Sequence, residues 1–380
     1  LLDRSTFRLA PHDPAAFDAK PHSPQNTGAD ALLLNYKSLQ LTFTPDLARG
    51  VAIVSSEPPL AGVRIELAVP LSNGACGDWR EALKPDFTDP LRIRFLGSYS
   101  SACPEQFWQV AYADPASYNA RVIAGLWREM GGKLIGRVRE GQAPGDPPSF
   151  QVASPALAEV VRDINKFSNN VMSQQLFLTL PVTQRGGPGT PEQARDLMRA
   201  WLAERFGDVA RDAVIDNGSG LSRDGRLSAQ LLARLLQAAF AGPTMPELMA
   251  SLPVIGVDGT LRRARNGAIG RAHLKTGSLN GVAGIAGYVL SQGGRRYVLV
   301  AVINHPNANL ARPALEAIVQ WTAGDVTPPV PPQPLVPWPL PAPPPASAPV
   351  ATPPADAPSA PVAPPLPAPA SAPASPVLPG

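Results

Sequence analysis

Folding must be complete by about residue 325, because the residues beyond it cannot take part in a core. From Val326 to Gly380 nearly every residue is Pro, Ala, Val or Ser, and Asp356 is the only charge. A stretch of that composition is expected to be disordered and to sample polyproline II. Fully extended, it could reach on the order of 170 Å at about 3.1 Å per residue. The plain reading is a passive tether or tail. The sharper one is a ligand for a Pro-binding domain.

The rest of the 380 residues is enough for two or three domains. A hydrophobic content of 44% against 17% charged residues requires a globular part. The net charge of +3 gives no case for a nucleic-acid partner. No run of 18 apolar residues occurs, so no transmembrane helix is expected. The chain opens LLDRS, without Met or a signal peptide, and this start reads as the middle of a strand. An upstream segment is therefore expected to be missing.

Composition divides the folded part in two. Residues 1–112 are rich in Pro and Gly and carry short alternating runs: LLLNYKSLQLTFTP, VRIELAVP and LRIRFLGSY. They predict a β-rich accessory domain. Residues 113–325 change character. Asp114-Pro115 predicts a helix start and Gly131 its end, and Ser154-Pro155 opens a second helix. That second helix should bury Leu157, Val160, Val161, Ile164 and Phe167. Thr190-Pro191 opens a third, with Gln193 completing a capping box and Gly207 as the stop. Ser228 caps a fourth, ending at Gly242-Pro243. Strands are expected at HLKTG, GVAGIAGYVL and RRYVLVAVINH. A helical cluster leading into an antiparallel hairpin is α+β. Residues 326–380 form the tail, and no internal repeat is visible.

Two cysteines, Cys76 and Cys103, flank an apparent hairpin. Neither has metal-ligand spacing and no histidine lies near them. They are either free buried thiols or one disulfide, and the second reading implies an oxidising compartment.

Three short stretches can carry chemistry. Lys275-Thr276-Gly277 ends a strand at a sheet edge, and alternation puts Lys275 and Gly277 on one face and Thr276 on the other. A glycine there lets a ligand backbone approach, a lysine supplies positive charge, and Thr and Ser hydroxyls can hold a carboxylate. Ser168-Asn169-Asn170 sits between two helices. Ser168 can relay a proton and the Asn170 amide can bind a carbonyl, although caps are the ordinary use of such a turn. DNGSGLSRDGRLS, residues 216–228, is a structural turn or a loop lining a cleft. Read singly, each has a bland explanation.

Together they have a precedent. Ser-x-Asn and a later Lys-Thr-Gly are two of the three motifs of β-lactamases and penicillin-binding proteins. The order LLDRSTF, ALLLNYKS, SNN, DNGSGLSRDGRLS, LPVIGVDGTL and HLKTGSLNGVAGIAGY resembles the class C low-molecular-mass penicillin-binding proteins over residues 1 to about 322. These are the D-alanyl-D-alanine carboxypeptidase/endopeptidase group of peptidase S13 type. The resemblance implies a penicillin-binding/β-lactamase-like transpeptidase domain with an inserted accessory domain. It implies periplasmic action on peptidoglycan stem peptides and sensitivity to β-lactams, with no cofactor and no metal. A signal peptide is expected in the missing segment, and the tail can then be read as a contact with envelope components. The implied catalytic residues are Ser168, Asn170 and Lys275. The implied substrate-binding residues are Thr276, Gly277, Ser278 and Leu221, with the Ser278 N–H giving half of an oxyanion hole.

The third motif, Ser-x-x-Lys, is absent. The six lysines stand at 20, 37, 84, 133, 166 and 275, and three residues before them are Phe17, Leu34, Glu81, Met130, Asp163 and Ala272. The nucleophile is expected upstream of Leu1, and the chain as it stands is expected to be inactive as a hydrolase. The alternatives are a non-catalytic envelope protein that binds peptidoglycan in the same cleft, and a β-lactamase or esterase relative. His273 shares a strand face with Lys275 and reads as a packing histidine. His12, His22 and His305 form no ligand cluster, and no G-x-S-x-G supports a Ser-His-Asp route.

Overall fold

The structure is a computed structural model that describes residues 1–329; the tail expected over 326–380 therefore lies almost wholly outside the described residues. Residues 1–37 contain no strand, only short helical turns and two isolated bridges, Leu2 with Glu140 and Phe7 with Gly189. The expected strand at LLDRS is thus not formed, since a single bridge is all that each end finds to pair with.

The first strands run β1 (Ser38–Asp46), β2 (Val51–Glu57), β3 (Arg64–Ile65) and β4 (Ala68–Ser72). After the short helix α1 (Trp79–Ala82) come β5 (Pro85–Asp89), β6 (Arg92–Phe95), β7 (Tyr99–Ser100) and β8 (Gln106–Ala111). One sheet has the order β7-β4-β2-β1-β8, a second β3-β6-β5. Alternation in SLQLTFT places Leu39, Leu41 and Phe43 in the core, each 1% exposed or less, and Gln40 and Thr42 on the other face. Burying side chains of this size contributes about 2 kcal/mol each. Phe43 lies 5.1 Å from the Phe95 ring and 5.6 Å from Trp79, in edge-to-face contact. Cys76 and Cys103 form a disulfide across the β5–β6 hairpin.

Helix α2 (Tyr118–Glu129) packs Tyr118 and Val122 into this same core. It starts later than Asp114-Pro115 predicts, because Asp114 closes a turn on Ser117 first. Next come α3 (Leu157–Phe167), α4 (Asn170–Arg185), α5 (Pro191–Phe206), α6 (Ala229–Ala241) and α7 (Met245–Ser251). The Thr190/Gln193 capping box is present, and Ser228 Oγ accepts from Leu231 N at 3.0 Å. On α3 only Ile164 of the expected apolar face is buried; Leu157 and Phe167 are exposed at its two ends.

The last unit is an antiparallel sheet of order β11-β10-β9, built from β9 (Ala272–Leu279), β10 (Val282–Leu290) and β11 (Arg296–Asn304). Helix α8 (Arg312–Ala323) covers one face with Leu315, Val319 and Ala323. On the other face Tyr288 meets Leu236 of α6 and Leu252. Beyond α8, Asp325 gathers several contacts. Its carbonyl accepts from Gly293 N at 2.8 Å and its carboxylate from the Tyr297 hydroxyl at 2.5 Å, while Arg295 Nε reaches Pro328 O at 2.6 Å. Among the described residues no helix is long and apolar enough to cross a membrane.

Candidate active site

Strand β9 is an edge strand, and its outer edge is divided. The first half is occupied: Leu274 N donates to Pro253 O at 2.9 Å, and Ile255 N donates to Ala272 O at 3.0 Å. In an antiparallel ladder, residues two apart direct their backbone groups to the same side. Thr276 and Ser278 therefore turn their N–H groups to the same open edge as Leu274, beyond the end of the covering segment. A side chain added at Gly277 would meet nothing within 4 Å. This half of β9 is free to take an extended peptide as one more strand. The expected strand end at Gly277 is in fact two residues short, since pairing continues to Leu279 opposite Val282.

On the face of β9 away from α8, Lys275 Nζ donates to Ser168 Oγ at 2.7 Å and to Thr276 O at 2.8 Å. Two motifs 107 residues apart in sequence thus meet in one hydrogen bond. Burial pushes the Lys275 ammonium below its ordinary pKa, with no carboxylate among the causes to oppose it. Ser168 ends α3 in a left-handed conformation, φ 55°, which turns the chain into α4. Asn169 supplies the cap of α4, its side chain accepting from Met172 N at 3.0 Å. Asn170 is half-buried, and its amide makes no hydrogen bond among the described residues. The capping reading and the chemical reading of this turn are therefore divided between neighbouring residues.

The 216–228 loop is tied to both walls. Ser173 Oγ of α4 donates to Gly218 O at 2.7 Å, and Arg223 donates to Asn280 O, in the β9–β10 turn, at 2.8 Å. Leu221 is half-buried in this loop, its N–H held by Ser219 Oγ and its carbonyl by Asn217. Alternation puts Ser278 on the α8 side of β9. Its hydroxyl lies 3.1 Å from Asn309 Oδ1 and accepts from Arg312 at 2.7 Å. Sequence reasoning missed Asn309 and Arg312; ANLARP carries no motif, and only the packing of α8 brings it to β9. His273 Nδ1 lies 3.1 Å from Met249 O, as a packing histidine would. A cavity of about 600 Å³ lies between residues 4–37 and α4, bounded also by Asp216 and Asn217, but neither Ser168 nor Lys275 lines it. Among the described residues no three His, Cys, Asp or Glu side chains gather as a metal site.

This arrangement offers a proton path, an unengaged amide and an open strand edge side by side. The model of the D-Ala-D-Ala carboxypeptidase 3 (S13) family matches residues 1–324. D-alanyl-D-alanine carboxypeptidase DacB of Haemophilus influenzae is 27% identical over 198 residues, covering 50% of this chain and 40% of the relative. The D-alanyl-D-alanine carboxypeptidase of Actinomadura sp. is 30% identical over 187 residues, 46% of this chain and 34% of the relative. The matched chain thus spans well under half the length of these relatives. The crystal structure of penicillin binding protein 4 from Haemophilus influenzae superimposes with a TM-score of 0.60 at 18% identity, over 84% of this chain and 75% of that one. The same protein complexed with a β-lactam gives a TM-score of 0.54 at 19% identity, over 77% and 72%. At such identities the likeness shows a shared fold.

Proposed function

Because the chain belongs to the D-Ala-D-Ala carboxypeptidase 3 (S13) family, we propose that it forms the substrate-binding and proton-relay side of a serine-type D-Ala-D-Ala carboxypeptidase/endopeptidase. The substrates are peptidoglycan stem peptides, and the place of action is the periplasm. The observation that carries this reading is the Lys275–Ser168 hydrogen bond at 2.7 Å. Lys275 fills a lone pair of Ser168, so the hydroxyl proton of Ser168 is directed elsewhere and can be handed to a leaving group.

The chemistry runs through an acyl-enzyme. A serine supplied by residues outside this sequence attacks the carbonyl between two D-alanines; its proton goes to the neutral lysine of the same upstream Ser-x-x-Lys, which returns it to Ser168 as Ser168 protonates the leaving amine. The developing oxyanion is held by the Ser278 N–H and by the N–H of the attacking serine. Ser168 delivers a proton to the departing D-alanine amine, and Asn170 orients the substrate amide. The peptide lies along the open half of β9 past Gly277, walled by Leu221 and its loop. Thr276 and Ser278 bind the terminal carboxylate. Water then cleaves the ester and restores the serine. A β-lactam enters by the same route and stops at the acyl-enzyme.

Residues 1–380 contain no Ser-x-x-Lys, so by themselves they bind without hydrolysing. The test is a product extended by its upstream coding sequence, exposed to a fluorescent penicillin. It should become covalently labelled, and Lys275→Ala should abolish the label. Unchanged labelling in that variant would remove Lys275 from the site. Labelling of residues 1–380 alone would overturn the assignment of the nucleophile.

A further inference from the structure

Ser168 and Lys275 stand on elements that do not pair with each other, yet their side chains meet at hydrogen-bond distance. A third segment, residues 251–259, touches both. On the β9 side it supplies Pro253 O to Leu274 N and takes Ala272 O with Ile255 N, the two bonds that flank His273 and fix the strand just before Lys275. On the α3 side it meets three consecutive features. Asn165 Nδ2 donates to the fully buried Ser251 Oγ at 2.7 Å. Lys166 Nζ donates to Leu252 O and to Asp258 Oδ2, each at 2.6 Å. Gly259 lies so close that a Cβ there would stand 2.7 Å from Lys166 O, in a backbone conformation, φ +56°, that favours glycine.

We infer that Lys166, by locking segment 251–259, is the positioning residue that sets the separation of Ser168 from Lys275. Only Phe167 stands between Lys166 and Ser168, and the segment continues from Leu252 to Pro253 and so to Leu274 and Lys275. The bonds close a ring, and Lys166 is its junction. An apolar side chain would fill the same space but would leave Leu252 O unpaired. A buried ammonium is tolerated only with partners of this kind. Asp258 strengthens the junction, since its second oxygen accepts from Val254 N at 2.8 Å, and Lys166 holds its carboxylate below the ordinary range despite the opposing effect of burial. His273, which also holds the Asp258 carboxyl down, lies on the Lys275 face of β9 with its Nδ1 3.1 Å from Met249 O; Asp163 on α3 and Arg262 after Leu261 are further charged groups of these elements.

The test reads Lys275 itself and needs no nucleophile, so its failure is distinct from a failure of the proposed activity. The chain has only six lysines. Lysine-selective isotope labelling therefore yields a spectrum simple enough to follow Lys275 through a pH titration, its signal assigned from Lys275→Arg. Asp258→Asn weakens the junction and removes a negative charge. Electrostatics alone would move the Lys275 midpoint down; a loosened site that admits water moves it up. Gly259→Ala disturbs the same contact with no change of charge and should also move the midpoint up. Val122→Ala, in the other core, is the control for loss of stability and should leave the midpoint where it is. A downward or absent shift in Asp258→Asn would overturn the inference. So would a folded Gly259→Ala whose midpoint matches the control; if that variant does not fold, the sign in Asp258→Asn decides.

Discussion

Breaking the Cys76–Cys103 bridge should cost this protein a large part of its stability without changing its core. The two cysteines are 27 residues apart. In the chain-entropy model a closed loop of that length restricts the unfolded chain by about 3.5 kcal/mol at 25 °C. Cys76→Ala isolates this effect. Cys76 is half-buried, while Cys103, 2% exposed, keeps its thiol and its packing. Leu83, Ile93, Phe95 and Tyr99 lie between the cysteines and are all buried, so the native loop is still held from inside. The assay is urea unfolding read by tryptophan fluorescence, with Trp79 and Trp108 packed on this core as reporters. A loss of about 3.5 kcal/mol is expected, matched by adding reductant to the intact protein and unaffected by reductant in the variant. A loss below about 1 kcal/mol, the ordinary effect of a surface truncation, would refute the reasoning. It would mean that the unfolded chain already keeps this loop closed.

Lys275 gives a signed pH effect. Its folded pKa lies below the ordinary 10.5, so between the two values the unfolded chain binds the extra proton, and stability rises with pH across that window. Lys275→Met should remove this rise on the alkaline side, just below the ordinary lysine pKa of 10.5, before buried tyrosines such as Tyr288, raised to about 12, begin to act in the opposite sense. An unchanged slope in urea unfolding would contradict the assigned burial. Gly218→Ala should destabilise by about 1–3 kcal/mol. Its φ is +75° and the new Cβ would stand 2.4 Å from Phe177 Cβ; a cost under about 0.5 kcal/mol by the same assay would show that the loop has room to move.

What the sequence discloses is mostly local. Thr190 with Gln193, and Ser228, announce their helices because caps act within one turn. Leu39, Leu41 and Phe43 announce β1 because a half-buried strand must alternate. β2 and β8 carry no comparable signal, although they flank β1 on both sides. The two-residue strands β3 and β7 exist only through partners 28 residues further along or back in the chain. Helix α8 is silent in the sequence because NANLARP offers no side-chain cap, and none forms. In the site, Lys275 and Ser168 can be named singly, but nothing in their flanking residues says that they meet. That pairing comes from the resemblance. Segment 251–259 enters the resemblance as LPVIGVDGTL, but nothing in its sequence says that Ser251 and Asp258 meet Asn165 and Lys166, because those contacts span 86 and 92 residues.

Asp325 has a mechanical consequence. It fastens the end of α8 to the 291–295 turn, at the end of β10 remote from Ser278. From Ala283, opposite Ser278, to Leu290 beside that turn is seven residues, roughly 24 Å at about 3.4 Å each. A pull on the chain beyond residue 325 is therefore taken first by the Asp325 contacts, at the turn that joins β10 and β11. Strain entering from that side must therefore cross the length of β10 before it reaches the cleft end of the sheet.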